Sequence, residues 1–348
     1  MARGRTEAEI DIPEWLRGLP KAELHLHLEG TITPETLVAL SKRHDAKPLT
    51  LEAARALYKY ENFRAFLMTF KAVSERLQTA EDYGFITYEM VRALAAQGVV
   101  HAEAYISWGI LLRFKPQLKI EAVMDAVEAA RVRAEKEFGV SLLWIIDAVR
   151  HFGLEEAGRV FRLAAELQGR YPSIVGIGIG GDEALGPAGP FRELYAEAKA
   201  AGLRLTAHAG ETMGAESIWS ALNIGAERIG HALSAQHDAE LLAVLSERQI
   251  PLEINLTSNI RTGCCADFEA HPLKDYFDGG LMVTINSDDP PMFGSDLLGE
   301  YVRAQELFGF SLDQMREIAA NAVEASFLGP ERKLKLLGRV EQYRGVEG

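Results

Sequence analysis

The stretch "ELHLHLEG", residues 23–30, places two histidines one residue apart in an otherwise apolar run. In a β-strand, residues i and i+2 share a face, so His25 and His27 point the same way. Two imidazoles on one face add little to a plain core. They suit a shared metal ion.

The same kind of run recurs along the chain. "AELHLHLE" (22–29), "VVHAEAYI" (99–106), "SLLWIIDAV" (141–149), "IVGIGI" (174–179), "LRLTAHA" (203–209), "RIGHAL" (228–233), "PLEINLT" (251–257) and "LMVTINSD" (281–288) read as eight strands. Helix-like stretches such as "KIEAVMDAVEAARVRAEKEFG" (119–139) and "GPFRELYAEAKAAG" (189–202) lie between them, and both end in Gly, a common helix stop. Alternating strand and helix implies a parallel sheet. Eight such units imply a closed (β/α)8 TIM barrel, for which 348 residues is an ordinary length. An open doubly wound sheet is the rival. It calls for a Gly-rich phosphate turn after the first strand, which Gly30 alone does not supply.

The gap between the first two strands is too long for one crossover helix. "ENFRAFLMTFKAVSERLQTAEDYGFITYEMVRALAAQG" (61–98) reads as two or three helices with an aromatic-rich face. It is either extra packing on the barrel or a lid over the strand ends. With no repeat or linker in sight, residues 1–348 read as one barrel domain, with a helical lid insertion within 31–98.

Composition bounds the partners. Hydrophobic residues make up 48% and charged residues 25%, a globular mix. A net charge of −13 argues against nucleic acid and for a small-molecule substrate. The two cysteines, Cys264 and Cys265, are adjacent, which suits neither an ordinary disulfide nor a zinc motif. The opening "MARGRTEAEIDIPEW" has no apolar run after its basic residues, and no stretch approaches ~20 apolar residues, so a cytoplasmic protein with no membrane partner is expected.

The polar exceptions fall at strand ends. His25 and His27 end the first strand, and His208 ends the fifth, followed by Glu211 in "HAGE". His231 lies in the sixth, and Asp288 and Asp289 end the eighth. In a closed barrel these ends meet at one mouth. Three histidines and a carboxylate are ordinary ligands of Zn²⁺, although imidazole also suits Fe and Ni. Adjacent Asp288 and Asp289 repel if both are ionised, a cost that a nearby cation removes. Glu211 is either a solvated loop carboxylate or a proton carrier beside the metal. His44, His101, His151, His237 and His271 gain no such support, and His44, His151 and His237 read as surface or packing residues.

In this order, "ELHLHLEG", "HAGE", "RIGHAL", "TSN" and "NSDDP" resemble the adenosine deaminase family of amidohydrolase-type barrels, from about Pro20 to about Ala325. "FRAFLMTF" resembles that family's helical cover. The resemblance implies one Zn²⁺ per chain held by His25, His27, His208 and Asp288, with water as the nucleophile. It implies that Glu211 protonates purine nitrogen 1 and that His231 orients the water and steadies the developing alkoxide. Asp289 would accept a hydrogen bond from the purine near nitrogen 7, and Gly181 would meet nitrogen 3 through its backbone.

Two departures bear on the substrate. Glu29 stands where typical adenosine deaminases have an Asp that contacts the ribose 5′-hydroxyl, and Gly178 stands where an Asp is common. "SNIRTG…HPLKDYFDGG…NSDDPPMFG" looks like the bacterial aminodeoxyfutalosine deaminases of menaquinone synthesis, whose substrate carries a benzoate. Arg261 or Arg64 would pair with it, or both are plain surface arginines. The expected reaction is therefore hydrolytic deamination of adenosine or of 6-amino-6-deoxyfutalosine. Adenine deamination, or another metal-dependent amidohydrolase reaction on the same barrel, is the alternative. Two-metal hydrolases of this type use a carboxylated Lys at the fourth strand end. "IVGIGIGGDE" has none, which favours one metal.

Overall fold

A computed structural model describes residues 11–345. Most of the N-terminal stretch read above for a leader lies outside them. The eight strands are β1 Lys21–His27, β2 Val99–Ile106, β3 Ser141–Val149, β4 Ile174–Gly180, β5 Arg204–Ala209, β6 Arg228–His231, β7 Leu252–Ile254 and β8 Val283–Ile285. They pair in parallel in sequence order. A parallel bridge between Leu26 and Asp288 brings the chain after β8 back to β1. There the Asp288 N–H donates to the His25 carbonyl, and the His27 N–H donates to the Asp288 carbonyl, both at 3.0 Å. The architecture is a (β/α)8 TIM barrel, and all eight strands fall within the stretches read from sequence to within a residue or two.

Helices separate the strands for local reasons. Ile120–Phe138 stops at Gly139, whose φ of 75° is cheap only for glycine. Between β1 and β2 run Pro34–His44, Leu51–Leu57, Phe63–Ser74 and Ala80–Ala95. Thr33, Thr50, Asn62 and Thr79 cap their starts by accepting backbone N–H groups three residues on. The aromatic-rich stretch thus forms two helices, Phe63–Ser74 and Ala80–Ala95. Lys115 is buried and donates through Nζ to the Ser74 carbonyl at 2.5 Å, anchoring the last turn of Phe63–Ser74 to the C-terminal end of helix Trp108–Phe114.

The barrel interior is less apolar than its strands suggest. Glu103, Arg228 and Glu253 are fully buried and form a chain of ion pairs across it. At one end His101 faces Glu103 at 3.3 Å, and at the other Glu253 meets His25. Among the described residues no helix is long and apolar enough to cross a membrane.

Candidate active site

The C-terminal strand ends bring the polar exceptions together. His25, His208 and His231 form one group of possible metal ligands, and His25, His27 and Asp288 form another. His27 Nε2 and His208 Nε2 lie 3.2 Å apart, which joins the two groups. Asp288 Oδ1 is 3.5 Å from His25 Nε2 and 3.3 Å from His27 Nε2. Ligands about 2.0–2.1 Å from a tetrahedral ion stand about 3.3–3.4 Å apart. The observed separations match that edge. His25 Nε2 is buried with no hydrogen-bond partner among the described residues.

Charge in the cluster points the same way. Burial drives His27 down to about 4 and His208 well below its ordinary range, so both rings are neutral, the state in which imidazole ligates. Burial also opposes charge on His25, but the facing carboxylates of Asp288 and Glu253 overcome it and hold the ring at about 10. The surroundings therefore favour positive charge at His25, which a cation at Nε2 would provide. Its Nδ1 faces Glu253 Oε2 at 2.7 Å, fixing which nitrogen is left to ligate. Asp288 Oδ2 accepts from the Ser258 hydroxyl at 2.7 Å. The donor set fits a divalent metal ion.

Beside it, Glu211 Oε2 is 3.7 Å from His231 Nε2. Burial, then the charges of Asp288 and Glu183, push the Glu211 carboxyl well above its usual range, which favours its acid form. The turn carrying it is shaped by Glu183, whose carboxylate accepts from the N–H groups of Gly210, Glu211 and Thr212 at 2.8–3.2 Å. Asp289 is also pushed well up, by burial and then by the Asp288 charge.

The proton on His231 can be traced from a backbone amide. Leu273 N–H donates to His271 Nδ1 at 3.2 Å, so His271 Nε2 carries the proton and donates to Asn259 Oδ1 at 3.1 Å. Burial lowers His271 to about 4, keeping it neutral. The Asn259 amide then donates to His231 Nδ1 at 3.0 Å, and the Asn255 amide faces the same nitrogen at 3.3 Å. His231 is thereby left with its proton on Nε2, facing Glu211.

A cavity of about 290 Å³ opens over these groups. His27, His208, Glu211, His231, Asp288, Asp289 and Gly181 line its inner end. Phe63, Phe66, Phe70, Phe114 and Phe152 make its outer walls, the first three from helix Phe63–Ser74. Arg64, on that helix, also lines it and has no ion-pair partner within 4.0 Å among the described residues. Three residues singled out in the sequence take the following places. Glu29 is not a lining residue: it is buried, and its Oε1 accepts from Ser107 N–H at 3.1 Å. Arg261 is not one either: its guanidinium sits 6.0 Å from the Tyr60 ring. His151, read as packing or surface, does line the cavity and accepts from Asp182 N–H at 3.1 Å.

Sequence reading missed Glu253, Asn255, Asn259, His271 and Glu183. A Glu between Leu252 and Ile254 in a barrel strand was a visible signal, because parity sends it inward. Asn259 ends the "TSN" motif, but nothing local marks its bond to His231, and nothing local marks His271.

Comparison with known proteins agrees with this geometry. The adenosine deaminase family model matches residues 20–343. The aminodeoxyfutalosine deaminase of Streptomyces avermitilis is 40% identical over 98% of this chain and 96% of its own. The adenine deaminase from Arthrobacter aurescens is 32% identical, with a TM-score of 0.87 over 93% of this chain and 99% of that one. An amidohydrolase from Burkhoderia ambifaria, solved with bound Zn, is 26% identical with a TM-score of 0.86 over 97% and 94%. The chain belongs to the adenosine deaminase family.

Proposed function

We propose that this enzyme is a zinc-dependent hydrolytic deaminase of a 6-aminopurine nucleoside, with 6-amino-6-deoxyfutalosine as its preferred substrate. The products would be futalosine and ammonia, in menaquinone synthesis in the cytoplasm. One observation carries this reading: a lone-pair cage and the buried Glu211 carboxyl meet at the inner end of a cavity whose outer walls are aromatic and bear Arg64. The 40% identity to an aminodeoxyfutalosine deaminase supports the substrate.

His25, His27, His208 and Asp288 would hold the Zn²⁺, which when bound supplies Lewis acidity and makes water acidic enough to lose a proton near pH 7. Glu211 donates its proton to purine nitrogen 1, so that carbon 6 accepts an oxygen without the ring carrying full negative charge. His231 donates from Nε2 to that oxygen as charge develops on it. The Glu211 carboxylate then takes the hydroxyl proton from the added oxygen and passes it to the amine, which leaves as ammonia, and the proton released when the water ionised returns Glu211 to its acid form. Asp289, protonated, donates to nitrogen 7, the reverse of the acceptor role expected from sequence, because nitrogen 7 of an aminopurine carries no hydrogen. The Gly181 N–H meets nitrogen 3, and helix Phe63–Ser74 with its neighbours in 31–98 covers the single catalytic barrel.

The 32% identity to an adenine deaminase favours a second reading, deamination of the free base. Assays on adenine, adenosine and 6-amino-6-deoxyfutalosine separate the two. The highest kcat/KM is expected on the last, and preference for adenine would overturn the nucleoside reading. Chelation should abolish turnover and Zn²⁺ restore it at about one ion per chain. Two ions per chain would instead point to a two-metal amidohydrolase.

A further inference from the structure

Asp147 is a buried carboxylate that the reaction above does not use. It lies near the end of β3, two residues before Val149, and both side chains line the cavity. Its exposure is 4%, and its Oδ1 is buried with no hydrogen-bond partner among the described residues. No arginine or lysine pairs with it within 4.0 Å among the described residues. A Cβ added to Gly180 would stand 3.5 Å from Asp147 Oδ1 and 3.4 Å from the His208 ring. The carboxyl therefore sits by the end of β4, next to Gly181 and close to the His208 ring.

An unpartnered buried carboxyl is a cost to the fold, about 1–3 kcal/mol or more. A neighbouring apolar residue such as Val149 shows that the strand end can be filled without it. Such a cost at a cavity wall is offset when a ligand brings the missing donor. With nitrogen 1, carbon 6 and nitrogen 7 of the purine directed at Glu211, His231 and Asp289, the opposite edge faces Gly180, Gly181 and Asp147. That edge holds nitrogen 3 and nitrogen 9. Its only donors are the sugar hydroxyls of a nucleoside or the N9–H of a free base.

We propose that Asp147 is a specificity-determining residue that accepts a hydrogen bond from the nitrogen 9 side of the bound aminopurine, from a ribose hydroxyl or from the ring N9–H. This rests on the aminopurine reading above. Asp147→Ala and the near-isosteric Asp147→Asn, which keeps one acceptor oxygen, test it on adenine, adenosine and 6-amino-6-deoxyfutalosine. A ribose contact lowers kcat/KM on the ribosides by about 10-fold or more, chiefly through KM, and spares adenine. A ring contact lowers it on adenine and spares the ribosides. Asp147→Asn recovers part of either loss, and if Asp147→Ala does not fold, the selective loss in Asp147→Asn decides. Equal losses on all three substrates, or changes under about 2-fold on all of them, overturn the proposal. A wild type inactive on every aminopurine sinks the parent reading as well, so the two failures are told apart by the wild-type assay.

Discussion

Glu253→Gln tests how the barrel interior prepares the metal ligands. Glu253 meets three partners, with Oε1 accepting from Arg228 Nε at 2.6 Å, and Oε2 facing His25 Nδ1 at 2.7 Å and accepting from the Tyr105 hydroxyl at 3.4 Å. Burial opposes its charge, but Arg228 and then His25 outweigh that and hold the carboxyl below its ordinary range. It is thus a carboxylate that requires a proton on His25 Nδ1 and leaves Nε2 free to ligate. Glutamine cannot serve both Arg228 and His25. With its oxygen toward His25, its NH₂ meets the Arg228 donor. With its NH₂ toward His25, Nδ1 becomes the acceptor and the proton moves to Nε2, where it blocks coordination. Losing a partner of this kind typically weakens metal binding about 10–100-fold, or about 1.4–2.7 kcal/mol. Competition against a chelating dye reads this directly. Glu103→Gln is the control, because Glu103 meets Arg228 but not His25; its effect on metal affinity should be smaller. Metal affinity within about 2-fold of wild type in Glu253→Gln would refute the reasoning, since the bond is then too weak to fix the ring.

Three further outcomes are expected. Glu211→Gln should lower kcat by about 10²–10⁴ while metal content stays at the wild-type level by elemental analysis; unchanged turnover removes Glu211 from proton transfer. Gly30→Ala places a Cβ 1.7 Å from Asp289 Oδ1, so that carboxyl must swing away. A displacement of that size should cost about 100-fold in kcat/KM with the circular dichroism spectrum retained. His271 has its folded-state pKa lowered to about 4, below its ordinary value of 6.5. The unfolded chain therefore binds the proton first, and this residue's contribution to stability is full above about pH 6.5 and falls as pH drops toward 4, by at most about 3 kcal/mol. His271→Gln should flatten the pH dependence of Tm in that window, and an unchanged slope would count against the neutral relay.

Most of the barrel was legible because its strands obey parity and its helices carry their own stops. His25 and His27 announce a shared face, and the remaining donors sit at strand ends where the fold must gather them. What was not legible depends on distances no local pattern encodes. Glu29 follows the histidine pair, yet the 3-10 turn Glu29–Thr31 carries its carboxylate to the backbone N–H of Ser107, which itself lines the cavity. Arg261 lies on a short helix, Leu256–Arg261, whose buried Ser258 and Asn259 meet Asp288 and His231, while Arg261 at its end is exposed. His271 is 40 residues from His231 along the chain and reaches it only through Asn259. Its role follows from one backbone N–H, that of Leu273.

The backbone at the site joins closure of the barrel to assembly of the donors. His231, Ala232 and Asp288 have φ of 66°, 53° and 64°, a region that costs non-glycine residues about 1–3 kcal/mol each. Of the non-glycine residues with positive φ, only Gln249 is elsewhere among the described residues. An extended chain at 288 would carry the next side chain to the opposite face, whereas the left-handed turn keeps Asp288 and Asp289 both at the cavity. The Asp288 peptide is held in that conformation by two bonds to β1, from its N–H to His25 and to its carbonyl from His27. Those same bonds tie the last strand end to the first. Asp tolerates this region better than most residues, and glycine would relieve the strain but remove the donor oxygen. The residue type at 288 is thus constrained twice, once by the ligand it must supply and once by the turn that closes the barrel.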